Sequence, residues 1–161
     1  MTASQPDANA RKMKRIIFEV PGEPIGKARA RTFVHRQSGR VVSMTPAKTK
    51  EYEYEVAKCF LTQVPPMMHP IHGALSVSMI AYFHCPEYIV RGAKTNLESW
   101  PCPKRPDGDN VAKSILDALN KIAWNDDAQV SDLTVRKRYS TRPRVEVTIE
   151  FDALAETIRR A

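Results

Sequence analysis

The sequence predicts an α+β domain in which a mixed β-sheet packs against two helices, and three observations carry that reading. Apolar residues alternate at period two in "LSVSMIAYFH" and "RVEVTIEF", the pattern of strands with one buried face. They recur at helical spacing in two other stretches, one after Pro46 and one after Asp109. The patterns follow one another as β, β-hairpin, α, β, α, β, β, an order that suits helices laid on a sheet.

Taken in order, "RIIFEV" (15–20) is rich in β-branched and aromatic residues, stops at Pro21 and Gly22, and predicts the first strand. In "GEPIGKARARTFVHRQSGRVVS" two short apolar pieces, "TFV" and "RVVS", flank the turn residues "QSG" and predict a basic hairpin. "TPAKTKEYEYEVAKCFLTQV" has Thr45 as N-cap and Pro46 at the first helical position. Tyr52, Val56, Cys59, Phe60 and Gln63 share one face of that helix, which ends before Pro65 and Pro66. From Gly73 the chain alternates, with Leu75, Val77, Met79, Ala81 and Phe83 on one face of a long strand. Residues 86–106 hold Pro86, Gly92, Pro101, Pro103 and Pro106, show no sustained period and predict a loop. Val111, Ile115, Leu116, Leu119 and Ile122 form the stripe of a second helix. "DLTVRKRY" and "RVEVTIEF" then predict two strands paired around "STRP", with Val145, Val147, Ile149 and Phe151 inward.

At 161 residues the chain is the size of one domain and can bury a core without disulfides. The predicted organisation is a disordered basic tail (1–15), a single domain (16–152) and a short C-terminal helix or tail (153–161). With 25 Lys and Arg against 18 Asp and Glu, the net charge is +7, which favours an acidic partner, nucleic acid first. Such an excess also occurs on proteins that touch no polyanion. Cys59, Cys85 and Cys102 are odd in number and far apart, as free thiols in a reducing cytosol are. His69, His72, His84 and Cys85 lack zinc-ligand spacing. The opening "MTASQPDANARKMKR" has no signal-peptide apolar run, and no apolar stretch approaches ~18 residues, so a cytoplasmic protein without a membrane span is expected.

The chemistry concentrates in "RPDGDNVAKSILDALNKIAWNDDAQV", where acids stand at both ends of one short helix. In an extended segment Asp107 and Asp109 would turn their carboxylates to the same side, about 7 Å apart at the Cα level. Gly108 between them leaves the backbone open to a bulky ligand. Asp109 occupies the expected N-cap, where the helix dipole favours a carboxylate. Hard oxygens of this kind fit magnesium, which keeps several waters and completes its shell with substrate phosphate. Lys113 follows one helical turn after Asp109, in place to meet a phosphate. The plainer reading is an Asp that merely caps a helix, with a solvated Asp/Lys pair worth a few tenths of a kcal/mol.

The strings "RPDGDNVAKSILDALN" and "NDDAQV" resemble the RusA family of Holliday-junction resolvases: Pro-Asp-x-Asp-Asn, a Lys three residues after the Asn, Asp-x-Leu, then Asp-Asp-x-Gln-Val. "GEPIGKARAR" is similar to the Gly-x-Pro and basic segment of phage-type members. The resemblance implies a homodimeric endonuclease that cuts four-way DNA junctions with Mg²⁺ or Mn²⁺. It implies Asp107, Asp109 and Asp127 as metal-binding catalytic acids and Lys113 as the important basic residue. Asp126 and Asp117 match further family positions, Asp126 as an additional metal ligand, while Asp117 equally suits the helix surface or a structural hydrogen bond.

Lys27, Arg29, Arg31, Arg36 and Arg40, with Asn110 and Arg138, are the candidate DNA contacts, joined by Arg136, Lys137, Arg142 and Arg144. Phosphate neutralisation by such residues makes affinity fall steeply with salt, and for any single Arg the alternative is a solvated loop. Trp100 suits stacking on an unpaired base or anchoring of its loop. A helix over 110–122 spans roughly 20 Å, and the four residues 123–126 reach at most ~14 Å, so Asp127 starts at the wrong end to join Asp109 in one chain. Two antiparallel copies across a two-fold axis would bring the ends together. Two alternatives stand beside junction resolution: a nuclease for other branched or flap DNA, and a non-catalytic DNA-binding module whose acids are only caps.

Overall fold

The computed structural model describes residues 13–29, 31–34, 36–93 and 96–153. Its frame is a four-stranded sheet in the order β1-β6-β4-β5, built from β1 (Met13–Pro21), β4 (Leu75–His84), β5 (Val130–Ser140) and β6 (Arg144–Asp152). A separate two-stranded hairpin joins β2 (Arg31–Val34) to β3 (Val41–Met44). The helices are α1 (Ala47–Gln63), the short α2 (Glu87–Gly92) and α3 (Gly108–Leu119). Only residues 13–15 of the expected tail are described, and they open β1; of the expected C-terminal segment only Ala153 is described.

Period-two alternation sets the faces of the sheet. Register aligns Phe18, Val147 and Met79 in one row and Val20, Val145 and Ala81 in the next, all buried. The α1 helix turns Tyr52, Val56, Cys59 and Phe60 into the core, and Phe60 meets Phe18 edge to face at 5.3 Å. Burying a side chain of that size is worth about 1.5–3 kcal/mol, and the edge-to-face geometry fixes how the helix sits. The α1 and α3 helices pack on each other and on this same face, against β1 and β5 respectively.

Three sequence-based expectations change. The strands β5 and β6 do not pair: β4 lies between them, parallel to β5 and antiparallel to β6. The short link Thr141–Pro143 therefore steps over β4 instead of closing a hairpin. Pro46, not Thr45, is the N-cap of α1. The second helix starts at Gly108 and stops at Leu119, so Ile122 lies beyond it, partly buried in the following turn.

The segment expected as an ordered or mobile loop over 86–106 contains short helical elements among its described residues. It carries α2 and a 3-10 turn at Leu97–Ser99, and it zips onto the edge of β5 through Tyr139 N–H to Trp100 O (3.1 Å) and Cys102 N–H to Lys137 O (3.1 Å). All three cysteines are free and buried. Among the described residues no helix is long and apolar enough to cross a membrane.

Candidate active site

The start of α3 is held from two sides. Beneath it, Gly108 rests on β5, where an added Cβ would stand 3.7 Å from Val135 and 3.9 Å from Lys137. Beside it runs the segment Glu23–Lys27. Ser114 donates its hydroxyl to Ile25 O (2.6 Å), and Lys27 N–H donates to Asn110 O (2.8 Å). Gly26 is pressed so close that a Cβ there would lie 2.6 Å from Pro106 Cβ and 3.1 Å from Asn110 Cβ. An open cavity of about 340 Å³ remains, lined by Gly26, Lys27, Arg105, Pro106, Asp107 and Asn110.

Asp107, not Asp109, is the N-cap of α3, with extended backbone (φ −67°, ψ 153°), and its side chain makes no capping hydrogen bond. A carboxylate serving only as a cap would accept an N2 or N3 amide. Asp107 makes no such bond, and it is exposed at the positive end of the helix dipole, where it lines the cavity. Asp109 sits in the first turn, exposed, and Lys113 is exposed one turn further on. The two acids are thus a cap position and a helical position, not neighbours on an extended strand.

Lys27 does not reach outward. Its ammonium is bound by Glu53 of α1 and, at 2.8 Å, by Asp117 of α3, with only a fifth of the side chain exposed. Burial alone would lower its pKa, but the hydrogen bonds and charges of Asp117 and Glu53 outweigh that and leave it raised. Asp117 is therefore an ion-pair partner of the N-terminal segment.

The second acidic cluster follows a different logic. Asp126 caps the 3-10 turn Asp127–Gln129, accepting from Ala128 N–H (2.9 Å). That amide first, and the Lys121 charge second, hold its carboxyl below the usual range. Gln129 completes the capping box and also donates to Ile71 O and Gly73 O, tying the turn to the body of the protein. Asp127 is half-buried, and its Oδ1 accepts the indole N–H of Trp124 at 2.9 Å. Trp124, Gly26 and Ser114 are supports that the sequence reading missed, and Gln129 stood in the family pattern without a role. One signal existed in the Trp just before the acids, but periodicity does not weigh it.

In a single chain the two acidic clusters stay apart. The turn bearing Asp127 leads directly into Val130 at the start of β5, whereas Gly108 packs on Val135, five residues along the strand. At ~3.3 Å per residue that offset is about 16 Å. Among the described residues no three His, Cys, Asp or Glu side chains of one chain gather closely enough to hold a metal.

The basic candidates also separate. Arg29, Arg36 and Arg40 are exposed on or beside the hairpin; of Arg31 only the backbone in β2 is described. On β5, register places Lys137 with Ala81 on the helix-bearing face, and Arg136 and Arg138 with Ile80 and Tyr82 on the opposite one. Arg138 donates to the carbonyl of Lys137 (3.0 Å). Arg142 forms a fork on Glu19 (2.7 and 2.9 Å). Arg144 is 5% exposed, stacks 3.8 Å over the Tyr82 ring and pairs with Glu98 and Glu146. It is a structural cation, not a phosphate contact.

Residues 21–150 match the family described as endodeoxyribonuclease RusA. The chain belongs to the RusA family. Both acidic clusters, the Gly26–Lys27 segment and the hairpin fall inside the matched span. The chain is also 36% identical over 142 residues to the uncharacterized protein YqaN of Bacillus subtilis (strain 168), covering 85% of this chain and 96% of that one. RusA membership makes this an endodeoxyribonuclease of the Holliday-junction-resolving class, a class whose nucleases are in general metal-dependent.

Proposed function

We propose that the chain is a magnesium-dependent, structure-selective DNA endonuclease that resolves four-way junctions by paired symmetric nicks as a homodimer, with manganese able to replace magnesium. The observation that carries this reading is that Asp107, exposed and free of any capping hydrogen bond, stands with exposed Asp109 at the positive end of α3 and lines an open cavity.

The donor set fits the ion. Both groups are hard carboxylate oxygens, and their exposure leaves room for waters and a phosphate, as magnesium requires. When bound, a divalent ion supplies Lewis acidity at the scissile phosphate. Asp107 and Asp109 hold it and fix its position relative to α3. Lys113, one turn along, brings its ammonium to the phosphate oxygens and offsets the charge that builds in the transition state. Arg105 stands at the cavity rim, and Arg29, Arg31, Arg36 and Arg40 on the hairpin side draw the backbone in, an attraction that weakens with salt.

The third acid, in this reading, is Asp127 of the partner subunit. Among the described residues no three acids of one chain gather closely enough to hold one ion, and magnesium takes its oxygens at only ~2.1 Å. Antiparallel α3 helices across a two-fold axis would set the start of one beside the end of the other. Asp126 then shapes the turn that presents Asp127, since its own oxygen is engaged by Ala128 N–H. Two such sites match the two-fold symmetry of a four-way junction.

The test is incubation of a synthetic four-way junction with the protein and magnesium. Symmetric nicks should appear, vanish in Asp107→Asn, Asp109→Asn and Asp127→Asn, and leave binding in calcium intact. Forks, flaps and duplex run alongside; equal cutting of these would make the enzyme a general branched-DNA nuclease. Absence of cleavage with every divalent metal would overturn the proposal in favour of a binding module.

A further inference from the structure

We infer that Lys27 is a positioning residue of the nuclease site: with Asp117 and Glu53 it locks the Ile25–Lys27 strap onto α3, and the strap sets the aim of Asp107 and Asp109. The inference rests on the reading of those two acids as metal ligands. It assigns Lys27 a different task from the hairpin arginines that follow it in sequence.

The strap meets α3 at three points, and each is a different kind of contact. Ser114 donates to the carbonyl of Ile25 (2.6 Å). Gly26 abuts Pro106 and Asn110 at a distance that no side chain tolerates. Lys27 donates its amide to the carbonyl of Asn110 (2.8 Å) and sends its ammonium to Asp117 (2.8 Å), two turns further down the helix. Residues 106 and 110 flank the two acids on either side, so movement of the strap moves the acids.

The ammonium is what fastens the strap. Asp117 and Glu53 belong to different helices, and Lys27 is the cation between them. Removing it leaves two partly buried carboxylates facing each other, a repulsion that pushes α1 from α3 and loosens the strap. A phosphate contact requires the opposite arrangement, an ammonium turned to solvent. Here both acids take it first, with a side chain only 20% exposed.

The experiment compares Lys27→Met, Lys27→Arg and Asp117→Asn with the wild-type protein by two measurements. One is Mn²⁺ affinity of the DNA-free protein by electron paramagnetic resonance. The other is the salt dependence of four-way-junction binding in calcium. Thermal melting identifies any variant that fails to fold, and Asp117→Asn, which keeps the lysine, then carries the test. The expected result is that Lys27→Met and Asp117→Asn weaken Mn²⁺ binding roughly 10–100-fold, the scale of losing a group that orients a metal ligand. The salt slope of DNA binding stays at the wild-type value, and Lys27→Arg recovers much of the metal affinity. A slope reduced by about one ion with Mn²⁺ affinity unchanged would make Lys27 a phosphate contact and overturn the inference. So would wild-type behaviour in both measurements. Asp109→Asn serves as the control: if it too leaves Mn²⁺ affinity untouched, the metal site itself is misplaced. If it abolishes affinity while the Lys27 and Asp117 variants do not, the positioning role alone fails.

Discussion

The indole N–H of Trp124 donates to Oδ1 of Asp127 across 2.9 Å, from a side chain that is completely buried. A donor fixed in the core thus holds one oxygen of a half-buried acid. Trp124→Phe removes the donor and part of the ring. Folding stability should fall by about 1–3 kcal/mol, and junction cleavage should fall roughly 10–100-fold with binding retained, as losing an orienting partner of a metal ligand does. Urea melts and single-turnover cleavage measure the two effects; undiminished cleavage would show that Asp127 needs no such anchor.

Gly26→Ala places a methyl group 2.6 Å from the Pro106 ring, which has no flexible end to swing away. Either the strap or the Pro106–Asn110 segment must shift. A stability loss of about 1–3 kcal/mol is expected, with a larger proportional loss in cleavage than in junction binding. Chemical denaturation and parallel binding assays check it.

Arg144 is nearly enclosed by Tyr82, Glu98, Glu146 and Glu19. Arg144→Met should cost about 2–3 kcal/mol, less than the loss for a fully buried pair because Glu98 and Glu146 keep some water. The salt slope of DNA binding should not change. Arg144 and then Ser140 hold the Glu98 carboxyl below its ordinary value of 4.5. A depressed carboxyl contributes stability that is complete above that value and is lost as pH falls through the folded pKa. Melting temperature should accordingly drop below about pH 4.5, and Glu98→Gln should flatten that acid limb.

Much of the fold was legible in the sequence because its strongest patterns belong to the most buried strands. The alternating faces of β4 and β6 and the stripe of α1 are read directly from apolar spacing. Strand pairing was not. Adjacency in sequence suggested that β5 and β6 close a hairpin, but β5 carries the exposed residues 131–134 and has no clean alternation, and β4 takes both as neighbours. The acids were legible as residue types at a spacing, while their surroundings were not. Lys27 stands first in a basic run, and only the fold reveals that Glu53 and Asp117 converge on it. Arg144 looked like one more surface cation until the far face of the sheet enclosed it.

Mixing subunits tests the sharing of sites. Asp109→Asn and Asp127→Asn homodimers should each be inactive, whereas a heterodimer of the two should regain one intact site and nick junctions on a single strand. Nicking no greater than that of either parent would count against a shared site.

Mn²⁺ binding to the DNA-free protein, followed by electron paramagnetic resonance, decides whether Asp107, Asp109 and Asp127 together form a metal site. Such a site requires saturable binding by the wild-type protein that is lost or weakened at least tenfold in each of Asp107→Asn, Asp109→Asn and Asp127→Asn. Affinity unchanged in all three variants would contradict it.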